Sequence, residues 1–310
     1  MEPVQIHCLD INTSILTRDL KWVPAGSLRE SDKIIGFSEK SFGEIPQFRF
    51  RKFEDATITY AAKKTTQGFM LTLETGEVLK ATGEHQFLVV GAKPGGPKTE
   101  WASADHIYED MKKCSPHHGP QRKFKLRRYL NMWEAEDSYR AGFLAGAFDA
   151  DGCLHLSNTS DPKITFGQLN NSLLAQVKTY LTEMGFDWYE HVYTKPNLKA
   201  VHTLTLRCGG LQGTMRFLGT VRPPRLLSQW QKFMLSECKF ASHDAVEVID
   251  ISPCNFAAAV ITSSSKTYIS QGYGSHNSGR AGGIIDHANG LLMALPTTHA
   301  EPLTLTTEDE

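Results

Sequence analysis

The sequence has few cysteines and no closely spaced pair of them. Its six cysteines are scattered along the chain, at Cys8, Cys114, Cys153, Cys208, Cys238 and Cys254. There is no C-x-x-C pair and no secretory signal at the N-terminus. Since disulfide frameworks and zinc sites need paired cysteines, this distribution argues against both and predicts reduced thiols. The expected location is therefore the cytoplasm.

Long apolar runs and an excess of one charge are also lacking. No apolar run is long enough to span a bilayer, so we expect no membrane partner. The formal net charge is −1 at pH 7, and whole-chain electrostatics therefore do not indicate a nucleic-acid partner. One local cluster, residues 121–128, mixes basic and apolar side chains. It fits either contacts along phosphates or the solvated face of a linker, and the sequence leaves both open.

Short alternating runs make both ends of the chain β-rich. Residues 8–37 contain such runs separated by Asp, Asn, Pro and Gly, which is typical of a compact, turn-rich all-β unit. Residues 69–73 and 78–82 flank a Glu-Thr-Gly-Glu turn and predict a hairpin. Alternation returns after residue 239, with runs at 246–251, 259–262 and 266–270.

One peptide bond near the C-terminal end has the composition of a self-cleavage site. Asn277 lies between His276 and the hydroxyl residue Ser278. The bond after Asn277 can break if the fold holds the asparagine amide against its own carbonyl. Cys8 can attack the carbonyl of His7 to give a thioester, which Ser278 can take over. Alone, the tripeptide is better explained by an ordinary turn, because Asn and Ser hydrogen-bond their own backbone.

Three blocks together resemble the splicing blocks of inteins. They are Cys8 at the start of a β-rich run, Thr82-x-x-His85 after the hairpin, and His276-Asn277-Ser278. Three blocks in this order and spacing rarely coincide by chance. The resemblance implies that residues 8–277 excise themselves without a cofactor and that His7 becomes joined to Ser278. Residues 1–7 and 278–310 would then be host extein segments acting in cis.

The resemblance also assigns roles to the matching residues. His85 would donate a proton to the Cys8 nitrogen as it leaves, and Thr82 would hold either the surrounding backbone or the oxyanion. His276 would assist the cyclisation of Asn277. At the reference pKa of about 8.5, a few per cent of a cysteine such as Cys8 is thiolate near neutrality.

The chain departs from the intein pattern in the penultimate block, where many inteins carry an acid and a histidine. One alignment places Ala259 and Lys266 at these positions. The other places Asp250 and Cys254 there. The histidine is missing in both alignments, so we expect His276 to receive less help.

At residue 138 the hydrophobic period changes to that of a helix. Gly142, Ala145 and Gly146 lie three and four residues apart, on a face that lets another helix approach closely. The helix ends in Asp149-Ala150-Asp151-Gly152. Two carboxylates at this end oppose the helix dipole, so a positive group should lie nearby, and a divalent cation suits oxygen ligands.

Residues 144–152 resemble the signature of LAGLIDADG homing endonucleases, except in the two central apolar letters. The patterns that follow complete one α-β-β-α-β-β-α unit over 138–240. Family members with one motif act as homodimers through the motif helix, so the resemblance implies a dimer that cuts double-stranded DNA at a homing site with Mg²⁺. It implies the following residues: Asp151 as metal ligand, Gln168 as an active-site polar residue, and Lys163, Arg207 and Arg225 as DNA contacts.

The predicted fold class is α+β with two domains. An all-β Hint-type, horseshoe-shaped splicing domain would contain an inserted α/β endonuclease domain. The predicted segments are an N-extein remnant at 1–7, splicing domain and linker at 8–137, endonuclease at 138–240, splicing domain at 241–277 and C-extein at 278–310. Three alternatives stay open: a splicing intein with an inactive nuclease, a DNA-binding regulator, and a Hedgehog-type autoprocessing domain. The last of these has no need for the terminal His-Asn-Ser.

Overall fold

The structure is a computed structural model. It describes residues 7–42, 51–90, 99–112, 123–156, 162–208, 210–237, 239–240, 244–277, 283–286 and 291–294. Ser278 and residues 1–6 of the predicted N-extein lie outside this part of the chain. Within the described residues, no helix is long and apolar enough to cross a membrane.

The first 130 residues are mainly β-strands. The strands are β1 Leu9–Asp10, β2 Ser14–Leu16, β3 Trp22–Pro24, β4 Lys33–Phe37, β5 Arg51–Leu73, β6 Val78–Ala81, β7 Gln86–Val90, β8 Thr99–Ser103 and β9 Lys125–Arg128. A 3-10 turn covers Ala25–Ser27, and helix α1 covers Ala104–Lys112.

The remaining elements alternate helices with strands and then return to β structure. They are α2 Tyr139–Asp151, β10 Gly152–His155, β11 Lys163–Leu169, α3 Ser172–Glu183, β12 Trp188–Tyr193, β13 Val201–Leu206, α4 Leu211–Val221, α5 Pro224–Glu237, β14 Lys239–Phe240, β15 Asp244–Ser263, β16 Thr267–Ser270, β17 Tyr273–His276, β18 Gly283–Asp286 and β19 Leu291–Ala294. This order confirms the α+β class.

Two long strands form the spine of the β domain. β5 and β15 pair antiparallel over most of their lengths, from Leu73 opposite Val248 to Ile58 opposite Ser263. The predicted hairpin is present as β5 and β6, and Gly76 in its turn has φ +83°, a conformation that favours glycine. The runs expected at 246–251 and 259–262 belong to one continuous strand, β15.

The described part of the basic cluster, residues 123–128, belongs to the β domain. β9 pairs with β15, and Leu126 is fully buried. Arg128 bonds to Asp244, and Lys123 bonds to Glu247. The pairing of β9 with β15 places these residues in the sheet rather than in a separate linker, and a contact of this segment with phosphates stays a prediction.

The inserted domain has the predicted order of elements. Its four-stranded sheet has the order β10-β11-β13-β12. One face packs on the helices, with the ring of Phe148 from α2 lying 5.3 Å from Phe166 of β11 and 4.8 Å from Phe217 of α4. The other face carries Cys153, Lys163, Tyr189 and other exposed side chains.

Trp133 joins the β domain to the inserted domain. Its indole Nε1 donates a 3.0 Å hydrogen bond to the carbonyl of Leu20, and its ring packs edge-on to Trp22. A Cβ on Gly219 of α4 would lie 1.9 Å from the same nitrogen. A salt bridge of 2.9 Å between Arg222 and Asp19 also links the two domains. The two domains therefore share a tightly packed interface.

Replacing Trp133 by alanine should destabilise the protein strongly. The buried ring and its hydrogen bond are lost together, and we expect the free energy of unfolding to fall by about 3–5 kcal/mol. Urea unfolding followed by circular dichroism measures this change. Tyr139→Ala is the control, because Tyr139 is 77% exposed and its loss should cost less than about 0.5 kcal/mol. Equal midpoints for the two variants would show that Trp133 does not hold the domains together.

Candidate functional site

Strand pairing brings the three sequence blocks into one place. Leu9 of β1 lies opposite Ala81 of β6, so Cys8 and Thr82 are neighbours just beyond these strands. Gln86 of β7 lies opposite His276 of β17. Because these two strands are antiparallel, His85, which precedes Gln86, and Asn277, which follows His276, lie next to each other beyond this pair.

Thr82 holds the peptide group of Cys8. The amide nitrogen of Cys8 donates a 2.8 Å hydrogen bond to Thr82 Oγ1, and the amide nitrogen of Thr82 donates to the carbonyl of Cys8 at 3.1 Å. The hydroxyl thus contacts the nitrogen that would leave during thioester formation. Of the two roles predicted for Thr82, this geometry favours the one of holding the backbone.

The Cys8 thiol is shielded from water. The residue is 1% exposed, and this burial raises the pKa of the thiol to about 11, with nearby Lys64 opposing the rise. At pH 7 about one thiol in 10⁴ would then be ionised. This fraction is far below the few per cent expected from the reference pKa, so attack by Cys8 requires a base.

His85 is the candidate for this base by its position, since its amide nitrogen donates to the carbonyl of Thr82 at 3.0 Å. The residue is fully buried, and neither ring nitrogen has a hydrogen-bond partner among the described residues. Burial, followed by the proximity of His7 and His276, lowers the pKa of His85 well below its ordinary value. The imidazole is therefore neutral at pH 7 and a weak base, and once protonated it is a strong acid that can give its proton to an amide nitrogen. Buried polar atoms without partners are unusual outside functional sites.

Asn277 is buried and held by its backbone and its side chain. Its amide nitrogen donates to the carbonyl of Lys266 at 2.8 Å, and its side-chain Nδ2 donates to the carbonyl of Ser263 at 3.2 Å. His276 Nδ1 lies 2.6 Å from the carbonyl oxygen of Asn277. The histidine therefore contacts the carbonyl that the asparagine amide would attack.

The strand register distinguishes between the two alignments of the penultimate block. Lys266 contacts Asn277 through its carbonyl, and Ala259 lies opposite Leu9, beside Cys8. Asp250 and Cys254 instead pair with Thr72 and Gly68, farther along β15. The residues of the first alignment thus lie beside Cys8 and Asn277, and neither Ala259 nor Lys266 carries a carboxylate or an imidazole.

One contact at the site involves a residue that no sequence motif indicates. Glu39 Oε1 lies 3.2 Å from His276 Nε2, although the two residues are 237 positions apart. Glu39 lies in a polar stretch, Ser38-Glu39-Lys40-Ser41, that no sequence pattern distinguishes from an ordinary surface turn.

A second cluster lies at the C-terminal end of α2. Gln168 Nε2 donates a 2.9 Å hydrogen bond to Asp151 Oδ2, and both side chains reach solvent. Among the described residues, no group of three or more His, Cys, Asp and Glu side chains could hold a metal ion. The described part of one chain therefore supplies too few ligands for a cation at Asp151, and further ligands from a second copy would be needed.

Arg225 forms hydrogen bonds with the C-terminal end of α2. Its guanidinium donates to the carbonyls of Phe148, Asp149 and Gly152, and its backbone nitrogen donates to Asp149 Oδ1. These bonds satisfy carbonyl groups that a helix leaves unpaired at its C-terminus. The positive group expected beside the two carboxylates is therefore an arginine of the same chain. These bonds hold Arg225 against the end of α2, and its role as a DNA contact stays a prediction.

The other two predicted DNA contacts are exposed. Lys163 lies at the start of β11, and Arg207 follows β13 with its guanidinium 5.6 Å from the ring of Tyr189. Both lie on the sheet face that is turned away from the helices. Basic and aromatic side chains thus occur together on this open surface.

The comparisons with known proteins give one sequence match and several structural ones. The family model described as a LAGLIDADG-like domain matches residues 138–212, so the chain contains a domain of this kind. No curated protein matches the chain.

The similar solved structures are inteins. A variant of the Ssp DnaB mini-intein is 11% identical, covering 91% of this chain and 99% of its own, with a TM-score of 0.38. A DnaB intein from Synechocystis sp. PCC 6803 is 10% identical, with coverages of 88% and 99% and a TM-score of 0.36. The Mvu mini-intein of transcription factor IIB is 9% identical, with coverages of 88% and 100% and a TM-score of 0.37. Such scores support no functional inference by themselves.

Proposed function

We propose that the chain is a self-splicing intein that excises residues 8–277 and joins His7 to Ser278, with a homing endonuclease domain inserted in it. The observation that supports splicing most directly is that a side chain contacts the peptide group at each of the two splice junctions. The amide nitrogen of Cys8 is bound by Thr82, and the carbonyl of Asn277 is contacted by His276. Both bonds that splicing must break are thus positioned by side chains of the block residues.

The first step is the attack of Cys8 on the carbonyl of His7. Neutral His85 accepts the thiol proton and delivers it to the Cys8 nitrogen, which Thr82 holds in place. The bond from carbon to nitrogen is replaced by a thioester. Ser278 then attacks this thioester, so that the N-terminal segment moves to the serine oxygen as an ester.

The second half of the reaction releases the intein. Asn277 Nδ2 attacks its own carbonyl carbon, the bond to the Ser278 nitrogen breaks, and a succinimide forms. A shift from oxygen to nitrogen then leaves a His7–Ser278 peptide bond. Positioning of the reacting groups supplies most of the acceleration, since intramolecular effective molarities reach about 10⁵–10⁸ M. The steps need no cofactor, and the reducing cytoplasm suits the Cys8 thiol.

Expression of the full chain with a folded tag at each end tests this proposal. Splicing predicts a product in which both tags are joined, together with an excised middle fragment. The double variant Cys8→Ala/Asn277→Ala should leave the precursor intact. Precursor alone in both samples would contradict splicing.

For the inserted domain, we propose a homodimeric nuclease that cuts double-stranded DNA at a homing site. Support comes from the open face of α2, where a Cβ on Gly142 or Gly146 would meet no atom within 4 Å among the described residues. A second copy can approach this face closely, which brings two Asp151 carboxylates together. Bound Mg²⁺ would polarise the phosphodiester and activate water there. Gln168 orients Asp151, while Lys163 and Arg207 lie on the sheet face available to DNA.

Replacing Asp151 by asparagine should abolish DNA cleavage while leaving binding intact. The substitution removes the carboxylate but keeps the shape and the partner of Gln168. Cleavage of DNA carrying the uninterrupted host gene, with and without Mg²⁺, and binding by mobility shift at fixed salt measure the two effects. Glu134→Gln is the control, because Glu134 is exposed and lies before α2.

The outcome also separates the alternatives for this domain. Binding without cleavage by the unmodified chain would favour an inactive nuclease domain or a DNA-binding regulator. Equal cleavage by the unmodified chain and Asp151→Asn would contradict the role of Asp151.

A further inference from the structure

We propose that Glu39 is a positioning residue for the cyclisation of Asn277, and that it keeps both ring nitrogens of His276 protonated. This inference rests on the proposed splicing function. The penultimate block has no histidine to assist His276. We infer that a carboxylate from a distant part of the chain assists it instead.

The two contacts of the imidazole determine its protonation. His276 Nδ1 faces the carbonyl oxygen of Asn277 at 2.6 Å, and Nε2 faces Glu39 Oε1 at 3.2 Å. A carbonyl oxygen and a carboxylate oxygen are both acceptors, so each nitrogen must carry a hydrogen to bond. A neutral imidazole carries only one. Both hydrogen bonds together therefore require the imidazolium ion, whose positive charge Glu39 balances.

The turn that carries Glu39 is fixed in place. Arg51 is 6% exposed, and its guanidinium donates to the carbonyl oxygens of Ser38 and Glu39. The same guanidinium lies 5.5 Å from the centre of the Trp101 ring, and the Trp101 ring packs 5.1 Å from the ring of His276. One buried arginine and one tryptophan thus connect the backbone of the turn to the histidine, which places residue 39 beside the imidazole.

Among the described residues, Glu39 is the acidic side chain that contacts the ring, whereas the two histidines that interact with it oppose a positive charge. His276 interacts electrostatically with His7 and His85 on the interior side. Lys266, at the position of the usual histidine, reaches Asn277 only through its backbone carbonyl. The Glu39 carboxylate is therefore the group that stabilises the positive charge of an imidazolium at this position.

The charge matters in the cyclisation step. As Asn277 Nδ2 bonds to the carbonyl carbon, the carbonyl oxygen gains negative charge. Nδ2 then loses a proton, the nitrogen of residue 278 gains one, and the bond between carbon and that nitrogen breaks. A charged Nδ1–H donor stabilises the developing oxyanion more than a neutral donor does. Glu39 thus acts on the reaction through His276.

The kinetic test uses the full chain with Cys8→Ala, in which only release of the C-terminal segment can occur. We expect Glu39→Gln to slow this release about tenfold, a part of what acid–base catalysis supplies. Glu39→Asp should restore much of the rate, and Glu30→Gln, an exposed control, should leave it unchanged. In a chain that keeps Cys8 and carries Asn277→Ala, Glu39→Gln should change thiol-induced cleavage at Cys8 by less than about twofold.

A spectroscopic test follows the ring directly. In the full chain with Cys8→Ala and Asn277→Ala, ¹⁵N NMR at neutral pH should show both His276 nitrogens protonated, and Glu39→Gln should convert the ring to the neutral form. Release at the unchanged rate in Glu39→Gln, or a neutral ring before the substitution, would overturn the proposal. Failure of the unmodified chain to cleave at either junction would refute splicing. The NMR result would still decide whether Glu39 keeps the His276 ring in its imidazolium form.

Discussion

Thiol-induced cleavage at Cys8 should slow by about 100-fold or more when His85 is replaced by alanine. The thiol has a pKa of about 11 in its buried position, so it reacts only when a base takes its proton. His85 is neutral and its ring nitrogens have no other partner among the described residues. The rate is measured in a chain carrying Asn277→Ala, by the appearance of the fragment that ends at His7 after addition of dithiothreitol.

Two further variants separate the chemistry of His85 from its packing. His85→Asn keeps a polar side chain without a group that titrates near neutrality, and it should be as slow as alanine. His191→Ala removes an exposed histidine from β12, and it should cleave at the unchanged rate. Rapid cleavage by His85→Asn would show that the imidazole transfers no proton in this step.

Release of the C-terminal segment should be undetectable when Asn277 is replaced by alanine. In the proposed reaction the side-chain amide is the nucleophile of this step, and alanine has no group that could take its place. Cleavage at Cys8 by added thiol should persist in the same variant, because the Cys8 contacts to Thr82 do not involve Asn277. A time course of both fragments by denaturing electrophoresis measures the two steps separately.

The matched control for this prediction is Asn255→Ala. Asn255 is an exposed asparagine of β15, and its loss should leave release unchanged. Continued release from Asn277→Ala at a rate similar to that of the control would show that the bond after residue 277 breaks by another route.

The elements that the sequence predicted well have local signals. The hairpin of β5 and β6 follows from its Gly76 turn, and α2 begins directly after Ser138, whose side chain accepts a hydrogen bond from the amide of Ala141. The long pairing of β5 with β15 could not be predicted, since its register joins residues nearly 200 positions apart. Local alternation also gave no sign that β9 belongs to the splicing sheet.

At the candidate sites, sequence motifs indicated residues that the fold brings together, but not the residues that contact them from distant parts of the chain. Cys8, Thr82 and His85 are brought together as their motifs suggested. The contacts of Arg225 and Glu39 have no local sequence signal because their partners lie 76 and 237 positions away. The raised pKa of Cys8 could not be predicted from the sequence either, since the burial that causes it depends on the whole fold rather than on neighbouring residues.

The most direct measurement of splicing is the intact mass of the fragments from the tagged chain, compared with Cys8→Ala and Asn277→Ala. Splicing predicts a fragment that begins at Cys8 and ends in the Asn277 succinimide, one water lighter than the free acid. It also predicts a product with His7 bonded to Ser278, and neither variant should give this product. An unprocessed precursor in all three samples would contradict the assignment of Cys8 and Asn277 as splice junctions.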